Sequence, residues 1–207
     1  QSHIIWFGVF SKATGFDTGF KVAFGYRDYI LDLFEMITGG RVYPAGYICP
    51  GGVRRDLPEN APDRIRKVLN KMDEMIDLEQ LENSTLHSRT KGIGVLKLED
   101  AIRLGATGPV IRGSGMRTDV RKDDPYEVYD RFDFDVPVRK EGDAYARYQI
   151  GIEELRESVK IIKQALKDLP DGDAIAPEFK KPRLNAKIPE GEVYIRNEIS
   201  RGEAGMY

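Results

Sequence analysis

The 207-residue chain contains one cysteine and two histidines. A single thiol excludes a disulfide framework within the chain. So few soft ligands also argue against a zinc or iron–sulfur centre built from these residues alone. No stretch approaches the ~18 consecutive apolar residues of a membrane-spanning helix; the longest near-apolar run, His3 to Phe10, falls far short. Charge of one sign is not in excess either. With 32 basic and 34 acidic residues the net charge is −2, so no global basic field exists to hold nucleic acid. What remains is a globular composition, 41% hydrophobic and 32% charged, of a length that suits one domain or slightly more. There is no initiator methionine. The chain opens on the apolar Ile4-Ile5-Trp6-Phe7 and closes on Gly205-Met206-Tyr207. Natural termini are usually polar and loose, so the sequence reads as an internal piece of a longer protein.

Periodicity predicts a mainly helical α+β fold: an antiparallel helix bundle with short strands and long structured loops. Residues 2–13 form one helical stretch, broken at Thr14-Gly15. A second helix runs over about 18–38, capped by Asp17 or Thr18 and stopped at Gly39-Gly40. Charges are sparse in the first fifty residues, which makes that segment the expected centre of burial. Pro and Gly punctuate residues 41–54, which read as a β-hairpin. Ile65, Val68, Leu69, Met72, Met75 and Ile76 place a helix over about 60–81. Lys91–Lys97 reads as a strand, Glu99–Leu104 as a short helix, and about 107–140 as a structured loop. Within that loop, alternating Phe132, Phe134, Val136 and Val138 suggest an edge strand. The clearest signal is the seam Tyr145, Tyr148, Ile152, Leu155, Val159, Ile162, Leu166 and Leu169, stopped by Pro170-Asp171-Gly172. This gives a core over 1–170. Residues 171–207 form an extended connector and a strand, leading into a missing C-terminal part.

Several chemistries are absent. Gly92-Ile93-Gly94 and Gly113-Ser114-Gly115 lack the further glycine of a dinucleotide fingerprint, and no phosphate-loop Gly-Lys-Ser/Thr occurs. His3 and His87 have no metal-spaced neighbours, so each reads as a plain structural or surface residue. Cys49, with no paired cysteine, reads as a quiet buried thiol. The stretch Arg112–Tyr126 is different, concentrating arginine, aspartate and glycine without apolar periodicity. Its guanidiniums can brace carboxylates in fixed forks, or they can face an anionic or redox-active partner. Physics alone leaves both open.

Taken in order, a set of blocks resembles one family across nearly the whole chain. They are Ser2-His-Ile-Ile-Trp6, Leu31-Asp-Leu-Phe-Glu35, Thr38-Gly-Gly-Arg41 and Pro50-Gly-Gly-Val-Arg-Arg-Asp-Leu57. Further along come Arg89-Thr-Lys-Gly-Ile-Gly94, Arg112-Gly-Ser-Gly115, Asp119-Val-Arg121 and Asp124-Pro-Tyr126. The series ends with Phe134-Asp-Val-Pro137, Gly142-Asp143, Arg147, Glu154, Ser158 and Arg201-Gly-Glu203. The sequence thereby resembles the 49-kDa (D-type) subunit of respiratory complex I, NADH–quinone oxidoreductase, itself related to large subunits of membrane-bound nickel–iron hydrogenases.

The resemblance implies a central fragment of the scaffold of a quinone site. Such a fragment packs against a small subunit that carries the terminal iron–sulfur cluster, with a C-type sibling subunit and a membrane arm as further partners. It implies a place on the cytoplasmic side of the cell membrane, peripheral to it. No metal or cofactor is expected on the fragment itself; the quinone and the neighbouring cluster belong to the assembled complex. The electron donor, NADH or another, stays open. The isolated fragment is expected to be inactive. Alternatives are a hydrogenase large subunit and a non-catalytic assembly module.

Two departures from the family pattern stand out. An aspartate that many members carry on the first helix is Ala13 here, which cannot relay a proton. A histidine expected after the Thr-Gly-x-Arg block is replaced by Val42-Tyr43-Pro44. The resemblance points to Arg41, Tyr43 and Arg112 as residues facing the quinone or the cluster. Their expected roles are electrostatic tuning and loop bracing, and no catalytic residue is assigned.

Overall fold

The computed structural model describes residues 1–42, 46–78, 84–179 and 190–207. Four longer helices share one apolar core: α1 (Ser2–Ala13), α2 (Asp17–Thr38), α3 (Ala61–Ile76) and α8 (Ala144–Lys167). Helix α1 packs on α2 and α8, and α3 packs on the same two helices. Ile4 and Phe7 of α1, Leu69, Met72 and Met75 of α3, and Tyr148, Leu155 and Val159 of α8 meet in that core. Trp6, Phe7 and Phe10 all lie against the Tyr148 ring. Each aromatic buries a large apolar area, so this cluster contributes a substantial share of the packing energy.

Local signals explain the helix ends. Gly39 closes α2 with a left-handed φ of 85°, which glycine adopts without a Cβ penalty. The Asp143 carboxylate caps α8 by accepting from the Ala146 N–H at 2.7 Å. Its other oxygen accepts from the Gly92 N–H, also at 2.7 Å. One side chain therefore starts the longest helix and anchors a loop 51 residues away.

Between α3 and α8 the chain folds into short helices: α4 (Ser84–Thr90), α5 (Leu98–Arg103), α6 (Gly108–Gly113) and α7 (Val120–Asp123), with a 3-10 turn at Tyr129–Arg131. A second 3-10 turn lies at Pro177–Phe179, and there are two small antiparallel hairpins among the described residues. Strand β1 (Ile48–Cys49) pairs with β2 (Gly52–Val53), and β3 (Ile195–Ile199) pairs with β4 (Gly202–Met206). Residues 174–176 lie along the first hairpin: Val53 donates to the Ala174 carbonyl and Ala176 to the Gly51 carbonyl, each at 2.8 Å.

Several expectations need correction. Residues 91–97 form turns rather than a strand. Gly92 and Gly94 take positive φ, and Ile93 and Val95 are exposed. Residues 132–138 are extended, with Phe134 and Val136 buried, but α8 side chains replace a strand partner. Gln164 Oε1 accepts from the Asp133 N–H, and the Glu157 carboxylate accepts from the Asp135 N–H, each at 2.9 Å. Helix α2 is not the centre of burial, since only Gly19, Ala23 and Leu31 are buried along it. Asp17 is its first residue and makes no capping bond. The α8 seam weakens at its end, where Ile162 and Leu169 are exposed. Cys49 is half-buried rather than buried. The expected helix over 60–81 ends at Ile76, and its last predicted positions lie outside the described residues.

Candidate functional site

The 107–126 stretch folds so as to bury an arginine. Thr107-Gly108-Pro109 opens α6, and Arg112 on its last turn points inward with 1% of its surface exposed. A buried guanidinium must be surrounded by acceptors or negative charge, and it has four partners, two from the loop that follows α6 and two from distant parts of the chain. Nη1 donates to the Thr118 carbonyl at 2.7 Å and to Glu198 Oε1 on β3 at 3.0 Å. Asp119 Oδ2 lies 3.9 Å away. On the other side Nη2 stands 2.6 Å from Glu154 Oε1 of α8. That last contact is a close ion pair, while Arg112 Nε lacks a hydrogen-bonded partner.

A second arginine completes the lattice. Asp119 caps α7 by accepting from the Arg121 N–H. The same carboxylate takes the Arg121 fork, with Nε to Oδ1 at 2.9 Å and Nη2 to Oδ2 at 2.7 Å. The guanidinium also lies over the rings of Tyr129 and Phe134. Glu198 holds α7 as well, because its second oxygen accepts from the Val120 N–H at 3.2 Å. Bidentate pairs of this kind fix geometry as well as charge.

His3 of α1 reaches the lattice from the opposite side, with Nε2 3.2 Å from Glu154 Oε2. Burial dominates both groups. Desolvation, followed by surrounding positive charge that includes Arg112, lowers the His3 pKa to about 4. Desolvation raises Glu154 to about 7, although Arg112 pulls the other way. Near neutral pH the imidazole is therefore uncharged, and the contact is not an ordinary histidinium–carboxylate bridge. Burial makes the acid the better proton holder of the two.

Two cavities meet at His3. One, of about 370 Å³, is polar and is lined by Arg112, Arg121, Glu154 and Glu198 with the hydroxyls of Ser158 and Ser200. The other, of about 250 Å³, is walled by Trp6, Phe10, Pro109 and Val110 and rimmed by Arg147 and Arg201. Ser2, His3 and Ser200 line both. Among the described residues, no group of three or more His, Cys, Asp or Glu side chains converges to hold a metal ion.

The three residues singled out from sequence do not converge. Arg112 is the buried hub. Arg41 lies at the surface, 40% exposed, and pairs with Asp28, Asp32 and Glu35 along α2 at 2.6–2.8 Å. Tyr43 falls outside the described residues. Sequence reasoning passed over His3, treated as structural, and gave no role to Glu154 or Glu198. One signal for Glu154 was available. Ile150, Gly151 and Glu154 are all buried on α8 beside the Tyr148–Leu155–Val159 seam. A carboxylate on a buried glycine-lined helix face needs a cationic partner. Glu198, in a short strand of mostly exposed residues, carried no such mark.

Comparison with known proteins gives these features a family. Residues 13–207 match the family model described as respiratory-chain NADH dehydrogenase, 49 Kd subunit. The chain belongs to that family. It is similar to the D subunit of NADH-quinone oxidoreductase from Dehalococcoides mccartyi (strain ATCC BAA-2266 / KCTC 15142 / 195), at 44% identity over 210 residues, covering all of this chain and 56% of that protein. The H subunit of NAD(P)H-quinone oxidoreductase from Synechococcus sp. (strain JA-3-3Ab) is 41% identical over 230 residues, covering all of this chain and 58% of that one. The D 2 subunit of NADH-quinone oxidoreductase from Rhizobium etli (strain CIAT 652) is 38% identical over 232 residues, covering all of this chain and 57% of that protein. The chain thus spans rather more than half the length of these curated relatives. No helix among the described residues is long and apolar enough to cross a membrane.

Proposed function

We propose that this chain is part of the quinone-site scaffold of a complex I-type oxidoreductase, which passes electrons from NADH or another donor to a quinone. In this reading it packs against the subunit holding the terminal iron–sulfur cluster, at the cytoplasmic face of the membrane. A C-type sibling subunit and a membrane arm complete the assembly. The observation that carries the reading is the family match over residues 13–207, with relatives named as quinone oxidoreductase subunits. The 250 Å³ cavity supports it. An apolar cavity of about 150 Å³ already accepts a single benzene ring, and a quinone headgroup wants apolar walls with a few polar groups at its carbonyl oxygens. Arg112 braces the loops beside that cavity. Arg41 acts through its field at the surface, and Tyr43, which lies outside the described residues, keeps its proposed role of facing the quinone or the cluster.

The test is purification of the assembled complex through a tag on the full-length parent protein. The expected result is co-purification of an iron–sulfur protein, with electron transfer to an added short-chain quinone. A parent protein isolated from active cells without any iron–sulfur partner would overturn the reading.

A further inference from the structure

We infer that the recess between the C-terminal end of α2 and the β1–β2 hairpin is a docking site for carboxylate side chains of a partner protein, with Arg54 and Arg55 as its anchors. Such a site lies outside the oxidoreductase reading and does not depend on it.

The sequence sets the two arginines side by side after Pro50-Gly51-Gly52, and the hairpin decides where they go. The Arg54 N–H donates to the Tyr47 carbonyl at 2.7 Å, which extends the pairing of β1 with β2. Arg55 reaches over the end of α2, where its Nε donates to the Ile37 carbonyl at 3.0 Å. A guanidinium suits that place, because a helix C-terminus carries partial negative charge. The bond holds the side chain in position while the donors of both Nη atoms stay available.

Both arginines line a recess of about 330 Å³, together with Thr38, Gly46 and Tyr47. Among the described residues no acid lines it, and neither guanidinium is in an ion pair. Arg41 is the contrast, since it is matched by Asp28, Asp32 and Glu35. The acid next in sequence, Asp56, is occupied by its own backbone: Oδ1 accepts from the Leu57 N–H at 2.7 Å. Two unmatched guanidinium forks beside a phenol call for oxyanions, and carboxylates match the fork in shape.

The setting favours carboxylates that arrive on a protein. Arg54 and Arg55 are exposed, and a free ion at an exposed arginine is screened and weakly held. A carboxylate carried by a docked surface is held there by every other contact of that surface. Tyr and Arg are the residues in which protein interfaces are enriched, and Ile48, beside Tyr47 on β1, leaves 77% of its surface in water. The adjoining flank of α2 has the opposite sign, with three carboxylates to the single Arg41. An acidic partner is therefore steered toward the hairpin and away from that flank.

The experiment uses the full-length parent protein, purified with the subunits assembled on it. Tyr47 is replaced by the photo-crosslinking residue benzoylphenylalanine, and mass spectrometry identifies the peptide that becomes joined to it. The expected product is a peptide of another subunit with neighbouring Asp or Glu residues beside the joined position. Its yield falls as salt is raised. Arg54→Glu combined with Arg55→Glu lowers the yield by about tenfold or more, the effect of losing one well-made charged contact. Arg54→Lys combined with Arg55→Lys keeps the charge without the fork and loses less. A joined peptide without acids, one from the parent protein itself, a lipid adduct, or no adduct overturns the site. An undiminished yield in the doubly reversed variant overturns it as well. Should that variant not assemble, the identity of the product formed with both arginines intact decides.

Discussion

Arg112 and Glu198 stand 86 residues apart in the chain and meet at 3.0 Å in the interior, both almost wholly out of water. Their contact joins α6 to the C-terminal hairpin, and Glu154 extends it to α8. Removing the guanidinium leaves two buried carboxylates facing each other. Arg112→Met is expected to destabilise the chain by about 3–5 kcal/mol, the range for breaking a buried pair from one side. Arg112→Lys, which keeps the charge but loses the fork, should cost clearly less. Urea denaturation measures both, and a loss under about 1 kcal/mol for Arg112→Met would contradict the hub.

The His3–Glu154 pair predicts an unusual pH response. His3 has its pKa lowered in the fold, to about 4 from 6.5, so its contribution is present above pH 6.5 and lost as pH falls through 4. Glu154 has its pKa raised, to about 7 from 4.5, so its contribution is present below 4.5 and lost as pH rises through 7. The two windows overlap with opposite slopes, and the wild type should show little net change from this pair between about pH 4.5 and 6.5. Neither group ranks among the main causes of the other's shift, so single substitutions unmask each slope. Stability of Glu154→Gln should rise with pH over that window, while that of His3→Asn should fall. Parallel slopes in the two variants would refute the assignment.

The same site shows what a sequence exposes and what it hides. The helices α1, α2, α3 and α8 are legible because apolar side chains recur at helical spacing and Gly39 or Pro170 ends the run. The burial of Phe134 and Val136 follows from their alternation as well. Their hydrogen-bond partners do not, because Gln164 and Glu157 are polar residues on a distant helix. Helices α6 and α7 escape pattern reading, being six and four residues long. Arg112 was visible as one of several arginines in a charged stretch. Its burial was not, since burial depends on Glu154 and Glu198 arriving from other elements, and no local pattern encodes that meeting.

Two glycines permit it. Gly108 begins α6 at φ +63°, and a Cβ there would fall 2.6 Å from the Arg201 carbonyl, against the turn at Gly202. Backbone offers no easy retreat, and the left-handed φ is itself costly for alanine. Gly108→Ala should cost at least about 2 kcal/mol and push the β3–β4 hairpin away from α6. Amide exchange at Val120, whose N–H is held by Glu198, should then accelerate. Unchanged protection there would show that the hairpin is not seated through this contact.

Arg41 is the converse case. Its three carboxylate partners are all more than half exposed, and pairs of that kind are strongly screened. Arg41→Gln should leave the denaturation midpoint where it is, in contrast to Arg112→Met. If Arg41 tunes a neighbouring redox centre, deleting its positive charge lowers that centre's reduction potential, because the reduced form loses a favourable field. Redox titration of the assembled complex reads this directly. The shift should shrink with added salt, since solvent-exposed charges act only within a Debye length. An unchanged potential at low ionic strength would remove Arg41 from the site.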